Sequence, residues 1–367
     1  MKIAIIAPYW NPPHFVGGIS RVIYALRSAW TANGHLVHVF AANTRPEPLD
    51  GIYRLPCPRL PLRTLWNSLY LRVAGDLRPY DVVFPQTGVS ALFSNPAQCV
   101  PCIHTLTNVE DKGKLRPWRF FHDDLESAAL NRMTYAVTIS EEVREALISR
   151  YRFHDRNVLC TKNGVDTEWF TSSAPVPEHD VFTVFSAGRL IPRKRFDLLL
   201  RAFALLHSTN PTARLRIAGE GPQRSFLEGL ARTLGISHRI AFLGQLDTQH
   251  LIHEFRGSSV FALASEAEGM PMILLEAMAM SMPVVVAGFP GVKSIVSHGE
   301  DGLVVTSSDP TRWAQTLVDV CDKPALGSSL GARARTKVER HFSWESTAEE
   351  ILRFFQEVRR HSGALVS

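Results

Sequence analysis

The chain has 367 residues, of which 45% are hydrophobic and 20% are charged. This length exceeds what one hydrophobic core usually supports and predicts two domains, and the composition excludes a disordered or collagen-like chain. The net charge of +5 is too small and too dispersed to indicate nucleic-acid binding. No apolar run approaches the ~20 residues of a membrane span. We therefore expect a cytoplasmic protein that is at most peripheral on the inner face of the plasma membrane.

Short apolar runs alternate with segments of helical periodicity along the whole chain. The run KIAIIAP predicts a buried strand, and after Gly17 and Gly18 apolar residues recur at helical spacing. Ser140 is predicted to cap a later helix, EEVREALISRY. A polar stretch with prolines at 171–180 predicts a linker, after which the alternation restarts.

Repeated strand–helix units predict parallel sheets with helices on both faces. We therefore expect an α/β protein of two doubly wound, Rossmann-like domains that face a cleft, with ligands at the carboxyl ends of the strands. The predicted domains are 1–170 and 171–344, and the sequence at about 345–367 predicts an amphipathic helix.

Two cations lie at the carboxyl end of the predicted strand VFTVFSAGR and in the loop that follows it. Arg189 and Lys194 lie in the loop before the next helix, where they and the helix dipole could hold a diphosphate. A solvated basic loop is the alternative, because the sequence RKR is charged in any case.

A second strand-to-helix turn carries Glu268, a short segment with free backbone donors, and Glu276. The first N–H groups of a helix suit a phosphate or sugar oxygen. Glu276 lies among apolar residues, where a carboxylate is costly unless it accepts hydrogen bonds, and ribose hydroxyls would donate them. An exposed helical glutamate is the alternative. The short segment comprises Gly269, Met270, Pro271, Met272 and Ile273.

Other signals are weaker by themselves. Gly17 and Gly18 allow close backbone approach to a phosphate, but they do not form the G-x-G-x-x-G dinucleotide motif. His104 ends the predicted strand CVPCIHTL, although a lone histidine is more often structural. The chain has no Asp-x-Asp sequence, which removes the usual carboxylate pair for a metal on a sugar-nucleotide diphosphate, so we expect no metal.

The order of these motifs is more specific than any one of them. Gly17–Gly18, KNGVDTEWF, AGRLIPRKRFDLLLRAF, AGEGPQ, IAFLGQ, SEAEGMPMILLEAMAMSMPVV and FSW together resemble glycosyltransferase family 4. These are retaining nucleotide-sugar transferases of the GT-B fold. The resemblance is almost continuous in the C-terminal half. In the N-terminal half it covers mainly the first strand, the glycine pair, His104 and residues 163–166.

The resemblance implies a role for each candidate residue of the C-terminal half. Arg189 and Lys194 would neutralise the donor diphosphate in place of a metal. Glu276 would hold the nucleotide ribose, and Glu268 would form hydrogen bonds with the transferred sugar. The backbone at 269–273 would contact sugar and phosphate.

The resemblance also implies contacts from the rest of the chain. The donor site would include Gly188, and the segment around Gly244 would bracket the base through backbone groups. The glycine pair would contribute through Gly18, which approaches the diphosphate from the N-terminal domain, and His104 would touch the donor sugar. The C-terminal helix would cross back onto the N-terminal domain.

The function implied by the resemblance is transfer of a hexose from a UDP- or GDP-sugar to a hydroxyl of a carbohydrate or lipid-linked acceptor, without a cofactor. Synthesis of cell-envelope polysaccharide, lipopolysaccharide or glycolipid is the expected context. A front-face mechanism, in which the departing phosphate takes the acceptor proton, would explain why the sequence shows no nucleophile–base pair. Two alternatives stay open, a GT-B-type nucleotide-sugar 2-epimerase and an inactive sugar-nucleotide-binding module.

Three positions depart from the family pattern. After PVVVAG the family usually has Gly-Gly and then a Glu, where this chain has FPGVKS at 289–294. Arg195 stands where glycine is common after the lysine, and Ser281 replaces the common glycine before PVV. None of them belongs to the diphosphate pair, but they leave the donor sugar open.

The segment 58–79 predicts contact with an anionic membrane surface. It carries four Arg and one Asp, with a Trp and several Leu between them. A basic amphipathic stretch with Trp is typical of interfacial binding. A core helix with a solvated arginine face is the alternative. The four arginines are Arg59, Arg63, Arg72 and Arg78.

Overall fold

The computed structural model of the chain describes residues 1–7, 18–41, 50–55, 77–92, 94–104, 117–171 and 181–363. The chain forms two compact units, Met1–Gly164 with Trp344–Ser367, and Val165–Ser343. Gly17, the predicted linker beyond residue 171 and most of the basic segment 58–79 lie outside the described residues. Within the described ranges, every helix is too short or too polar to cross a bilayer.

The first unit alternates short parallel strands with helices. Its strands are β1 (Lys2–Ala7), β2 (Leu36–Ala41), β3 (Ile52–Arg54), β4 (Val82–Pro85), β5 (Cys102–Ile103), β6 (Ala136–Thr138) and β7 (Val158–Cys160). Its first helices are α1 (Gly18–Ala32), α2 (Pro117–Leu130) and α3 (Glu141–Tyr151). The strands pair in the orders β3-β2-β1-β4 and β5-β6-β7, and a parallel bridge from Val83 to Cys99 connects the two sets.

The second unit is a six-stranded parallel sheet with helices between its strands. The strands are β8 (Thr183–Ala187), β9 (Arg214–Ala218), β10 (Ile240–Gly244), β11 (Val260–Leu263), β12 (Val284–Ala287) and β13 (Leu303–Val305). The helices are α4 (Phe196–Thr209), α5 (Arg224–Thr233), α6 (Thr248–Arg256), α7 (Met272–Ala279), α8 (Pro310–Asp322) and α9 (Pro324–His341).

The strand order of this sheet is β10-β9-β8-β11-β12-β13, the doubly wound order that the alternation predicts. The chain winds outward in one direction from β8 and in the other from β11, so the order reverses between these two strands. We call their carboxyl ends the switch point. In open parallel sheets, ligands bind in the crevice at such a point.

Local sequence signals explain several element boundaries. The Ser140 hydroxyl accepts a hydrogen bond from the Val143 N–H at 3.5 Å and caps α3, as predicted. Within the described part of the run CVPCIHTL, which ends at His104, the strand β5 begins directly after Pro101, which has no N–H to donate to a neighbouring strand. Every residue of β8 is buried, as expected for a strand with helices on both faces of its sheet.

The C-terminal helix α10 (Trp344–Gly363) packs in the first unit. Trp30 of α1 is fully buried, and its Nε1 donates a hydrogen bond of 2.9 Å to the Ala348 carbonyl. Its ring packs against Phe84 and Phe355, with centroids 5.9 and 5.7 Å away. Burial of aromatic side chains of this size gives a large hydrophobic contribution. The predicted return of the last helix to the N-terminal domain is confirmed.

Residues 165–170, which the sequence assigns to the end of the first domain, pack with the second unit. The Val165 N–H donates a hydrogen bond to the Phe342 carbonyl at 2.9 Å. The guanidinium of Arg335 donates to the carbonyls of Thr167 and Phe170, at 3.0 and 2.5 Å. These contacts fix the start of the second unit before the sheet begins.

Candidate functional site

The second unit brings Lys194 and Glu268 together at the switch point. The chain leaves β8 through Gly188 into the loop that carries Lys194, and it leaves β11 toward Glu268. The Nζ of Lys194 donates a hydrogen bond to Oε1 of Glu268, and the two side chains are 14% and 8% exposed. A β-carbon built on Gly188 would lie 3.8 Å from that Nζ. One cation and one carboxylate predicted to bind the donor therefore form a partly buried ion pair.

Arg189 has different surroundings from Lys194. The residue is exposed, and among the described residues its guanidinium has no ion-pair or hydrogen-bond partner. Its backbone is fixed, because its carbonyl accepts a hydrogen bond of 2.8 Å from the Ile191 N–H. Arg189 can therefore meet an anionic ligand directly, whereas the ammonium of Lys194 already donates to a carboxylate.

Backbone hydrogen bonds hold the loops after β8, β9 and β10 together. The Gly188 N–H donates to the Ala218 carbonyl at 3.0 Å, and the Gly219 N–H donates to the Gly244 carbonyl at 2.6 Å. A β-carbon on Gly219 would lie 1.9 Å from the Gly188 carbonyl oxygen, so only glycine permits this approach. The sequence AGEGPQ, which by itself predicts only a turn, thus fixes the loop that carries Arg189.

The turn after β11 leads into α7. Pro271 is its N-cap residue, and its carbonyl accepts the Leu274 N–H at 3.0 Å. The first N–H groups of a helix have no acceptor within the helix, and in α7 they belong to Met272 and Ile273. Glu276 lies in the second turn and is 1% exposed, so it is not a solvated surface glutamate.

Gly269 and Met270 complete this turn. Gly269 is half-buried, and Met270 is 8% exposed. The Met270 side chain therefore packs inside the unit, and a ligand would meet this segment through its backbone.

Sequence patterns missed two further residues of the loop after β11. Glu266 pairs with Arg195 through a contact of 2.6 Å between Oε1 and Nη1. Ser265 is fully buried, and its hydroxyl has no hydrogen-bond partner among the residues that the structure describes. A buried hydroxyl without a partner costs about 1–3 kcal/mol. The sequence feature that points to the contact of Glu266 is Arg195 itself, an arginine at a position where glycine is common. No sequence feature points to Ser265.

His104, in the first unit, is held by a glutamine that sequence patterns also missed. Its Nε2 donates a hydrogen bond of 3.1 Å to Oε1 of Gln86, which follows β4 and is 1% exposed. Burial lowers the pKa of His104 from 6.5 to about 4, so the imidazole is neutral at pH 7. In this tautomer Nδ1 carries the lone pair and can accept a hydrogen bond from a hydroxyl.

The predicted site residues are divided between the two units. The first unit contains His104 and Gly18, which is exposed as the first residue of α1. The other described candidates belong to the second unit. In the part of the chain that the structure describes, no three His, Cys, Asp or Glu side chains are grouped so that they could hold a metal ion.

Comparison with known families matches nearly the whole chain. The model of Glycosyltransferase Family 4 matches residues 16–169, and that of Glycosyl transferases group 1 matches residues 168–337. A GDP-mannose-dependent monoacylated alpha-(1-6)-phosphatidylinositol monomannoside mannosyltransferase of Corynebacterium glutamicum is 30% identical over 211 residues. That alignment spans 53% of this chain and 55% of the relative, about half the length of each.

Solved structures of similar fold cover almost the entire chain. Sucrose-phosphate synthase from Thermosynechococcus elongatus superimposes with a TM-score of 0.80 at 21% identity, covering 97% of this chain and 98% of that chain. HepE of Anabaena, in complex with UDP-glucose, gives a TM-score of 0.76 at 18% identity, covering 97% of this chain and 100% of that chain. These similarities show the GT-B fold. The two family matches, which together span residues 16–337, identify the chain as a glycosyltransferase of the family 4 type.

Proposed function

We propose that the chain is a retaining glycosyltransferase that moves a hexose from a UDP- or GDP-sugar to a hydroxyl of a carbohydrate or lipid-linked acceptor. The observation that carries this proposal is the arrangement at the switch point. An exposed cation, Arg189, lies five residues before a second cation, Lys194, which a carboxylate already holds in place. The Corynebacterium relative is named for GDP-mannose and the Anabaena structure contains UDP-glucose, so both nucleotides are candidates.

Charge determines the chemistry that such a site supports. When the bond between the anomeric carbon and the phosphate oxygen breaks, negative charge develops on the nucleoside diphosphate. Fixed cations in a site that excludes water stabilise this charge without reorganisation. Arg189 and Lys194 supply two positive charges, and the first N–H groups of α7 supply a partial one.

The proposed transfer requires no nucleophilic side chain of the protein. The bond from the anomeric carbon to the diphosphate breaks, and a bond to the acceptor oxygen forms on the same face of the sugar. The acceptor proton passes to the departing phosphate oxygen, and the nucleoside diphosphate leaves. Glu268 would bind sugar hydroxyls, and the buried carboxylate of Glu276 would accept hydrogen bonds from the ribose.

The acceptor is proposed to belong to cell-envelope polysaccharide, lipopolysaccharide or glycolipid synthesis. The Corynebacterium relative, named for a phosphatidylinositol mannoside, supports a lipid-linked hydroxyl acceptor. Inositol-containing acceptors therefore belong in the first panel to be tested.

A donor panel tests the proposal. The purified chain is incubated with UDP-glucose, UDP-N-acetylglucosamine, UDP-galactose and GDP-mannose, each with and without hydroxyl acceptors. We expect release of nucleoside diphosphate to depend on acceptor for at least one donor. Release or epimer formation without acceptor would indicate a 2-epimerase, and tight donor binding without turnover would indicate an inactive module. Proton NMR of the new linkage then shows its anomeric configuration, and an inverted centre would contradict the retaining assignment.

A further inference from the structure

Arg195 adopts a backbone conformation that glycine usually occupies. Its φ of 49° and ψ of 39° lie in the left-handed region, which is unfavourable for a residue with a β-carbon. Non-glycine residues persist there only where surrounding contacts enforce the conformation, and they concentrate at functional sites. The contacts of Arg195 therefore indicate its role.

The guanidinium of Arg195 joins the loop after β8 to the loop after β11. Its Nε and Nη2 donate to the two carboxylate oxygens of Asp197, in the first turn of α4, at 3.2 and 3.4 Å. Its Nη1 donates to Oε1 of Glu266, in the loop after β11, at 2.6 Å. The Glu266 N–H in turn donates to the Arg193 carbonyl at 2.9 Å. The two loops are thus connected by an ion pair and a backbone hydrogen bond.

This connection lies beside the Lys194–Glu268 pair in sequence and structure. Arg195 directly follows Lys194, and Glu266 precedes Glu268 by two residues, so two ion pairs join the same two loops. The side chains of the inner pair are 14% and 8% exposed, and those of the outer pair are 25% and 58% exposed. If Lys194 leaves Glu268 for a diphosphate, the outer pair still connects the loops.

We infer that Arg195 is a positioning residue that, through Glu266, holds Lys194 at the switch point when its partner changes from Glu268 to the donor diphosphate. This inference rests on the proposed function, because it requires the diphosphate to bind Lys194. It assigns a role to an arginine and a glutamate to which the resemblance gives none. Small displacements of a positioned charge have large effects on rate, so loss of the connection should reduce activity.

Two variants separate positioning from simple electrostatics. Arg195→Gly removes the guanidinium and introduces the residue that a left-handed backbone favours, so backbone strain cannot explain a loss. Glu266→Gln removes one negative charge from an exposed side chain. By charge alone, Arg195→Gly weakens and Glu266→Gln strengthens the binding of an anion. Positioning predicts that both variants weaken it.

Titration calorimetry with UDP and GDP, and with UMP and GMP, gives the readout. For the diphosphate that the wild type binds, we expect Kd to rise about tenfold in each variant, since the positioned cation is lost. The Kd of the matching monophosphate should change less than about twofold, and the double variant should bind nearly as well as the weaker single one. Tighter diphosphate binding by Glu266→Gln, or unchanged binding in either variant, would overturn the inference.

Two controls isolate the inference. Glu254→Gln breaks the Arg216–Glu254 ion pair, which joins β9 to α6 with a 2.7 Å contact, and should leave the diphosphate Kd unchanged. An equal loss in this variant would indicate general loosening of the unit and would overturn the inference.

Lys194→Ala tests the proposed function itself. If the wild type binds neither diphosphate, that function fails and the inference fails with it. If Lys194→Ala weakens binding and the two loop variants do not, only the inference fails.

Discussion

Lys194 donates a hydrogen bond to Glu268 across the point where the strand order of the second unit reverses. The resemblance assigns these two residues to different parts of one donor, the diphosphate and the sugar. In the structure, each side chain neutralises the charge of the other and keeps it in place. A diphosphate brings negative charge next to Glu268, so we expect Lys194 to turn toward the phosphates and Glu268 toward the sugar hydroxyls.

Lys194→Ala and Arg189→Ala should each lower kcat by about 100-fold or more, because under the proposed function each removes a group that stabilises charge on the departing diphosphate. Their effects on stability should differ. Lys194→Ala leaves a carboxylate that is 8% exposed without its cation, at a cost of about 3 kcal/mol in unfolding free energy. Arg189 is exposed, so its replacement should change that free energy by less than about 0.5 kcal/mol.

Steady-state kinetics and urea unfolding of both variants check these expectations. Lys337→Ala is a matched control, because it breaks a pair with Asp301 whose side chains are 21% and 8% exposed. It should lose stability as Lys194→Ala does and keep kcat. Turnover near the wild-type level in both Lys194→Ala and Arg189→Ala would show that the diphosphate assignment is wrong.

Glu268→Gln should bind a nucleoside diphosphate more tightly than the wild type while transferring sugar more slowly. The amide no longer competes with the phosphates for Lys194, and it no longer repels them. We expect a Kd for UDP or GDP about fivefold lower, and a kcat at least about tenfold lower because the sugar loses a charged hydrogen-bond partner. Asp301→Asn removes an equally buried carboxylate elsewhere in the unit and should change neither value. Weaker diphosphate binding by Glu268→Gln would contradict competition for the lysine.

The sequence predicts the elements better than it predicts their contacts. Alternating runs give the doubly wound sheets, and a serine before EEVREALISRY gives the α3 cap. The Lys194–Glu268 pair joins residues 74 positions apart, so it depends on β8 and β11 becoming neighbours, which no local pattern specifies. The sequence shows that Arg195 and Ser281 stand where glycine is common, but it does not show the backbone conformation of these residues. Arg195 and Ser281 both have positive φ, 49° and 57°, which explains why glycine is common at these positions.

The pH dependence of stability should reveal the buried His104. Its pKa is about 4 in the folded chain and 6.5 when exposed, so below pH 6.5 the unfolded chain binds a proton that the folded chain does not. The folded state should therefore lose stability progressively as the pH falls from about 6.5 to 4, and this contribution is absent at neutral pH and above. His104→Gln should remove this part of the pH dependence.

Urea unfolding at several pH values gives the free energy of unfolding of wild type and of His104→Gln. The difference between the two proteins at each pH removes the contributions of the other histidines. Activity measured over the same pH range tests the folded state. Because His104 stays neutral in the folded chain near pH 6.5, replacing it should remove no fall in activity at that pH. If the difference in stability between the two proteins is constant from pH 7 to 4, His104 titrates alike in the folded and unfolded chain.

Transfer activity should survive excess EDTA. The chain has no Asp-x-Asp sequence, and the switch point offers two cations where metal-dependent transferases use a carboxylate-bound ion. Initial rates with and without chelator, on the donor identified by the panel, are expected to agree within about twofold. Complete loss that Mg²⁺ or Mn²⁺ reverses would show that a metal, rather than Arg189 and Lys194, neutralises the diphosphate.

The basic segment 58–79 should bind anionic membranes. Four arginines oppose a single aspartate there, with Trp66 and several leucines between them. Each arginine near an anionic surface contributes about 1 kcal/mol, and salt screens this attraction. We therefore expect co-sedimentation with vesicles that contain phosphatidylglycerol, weakened by high salt, and none with neutral phosphatidylcholine vesicles.

Replacing Arg59, Arg63 and Arg72 by serine should lower the partition coefficient by roughly 100-fold, the equivalent of about 3 kcal/mol. The control replaces three exposed arginines of the second unit, Arg232, Arg312 and Arg340, and so removes the same charge from a different surface. If binding depends on the segment, only the first set weakens it. An equal loss in both sets would indicate attraction by net charge alone. No binding at low salt, together with full activity on a water-soluble acceptor, would show that the segment does not attach the chain to a membrane.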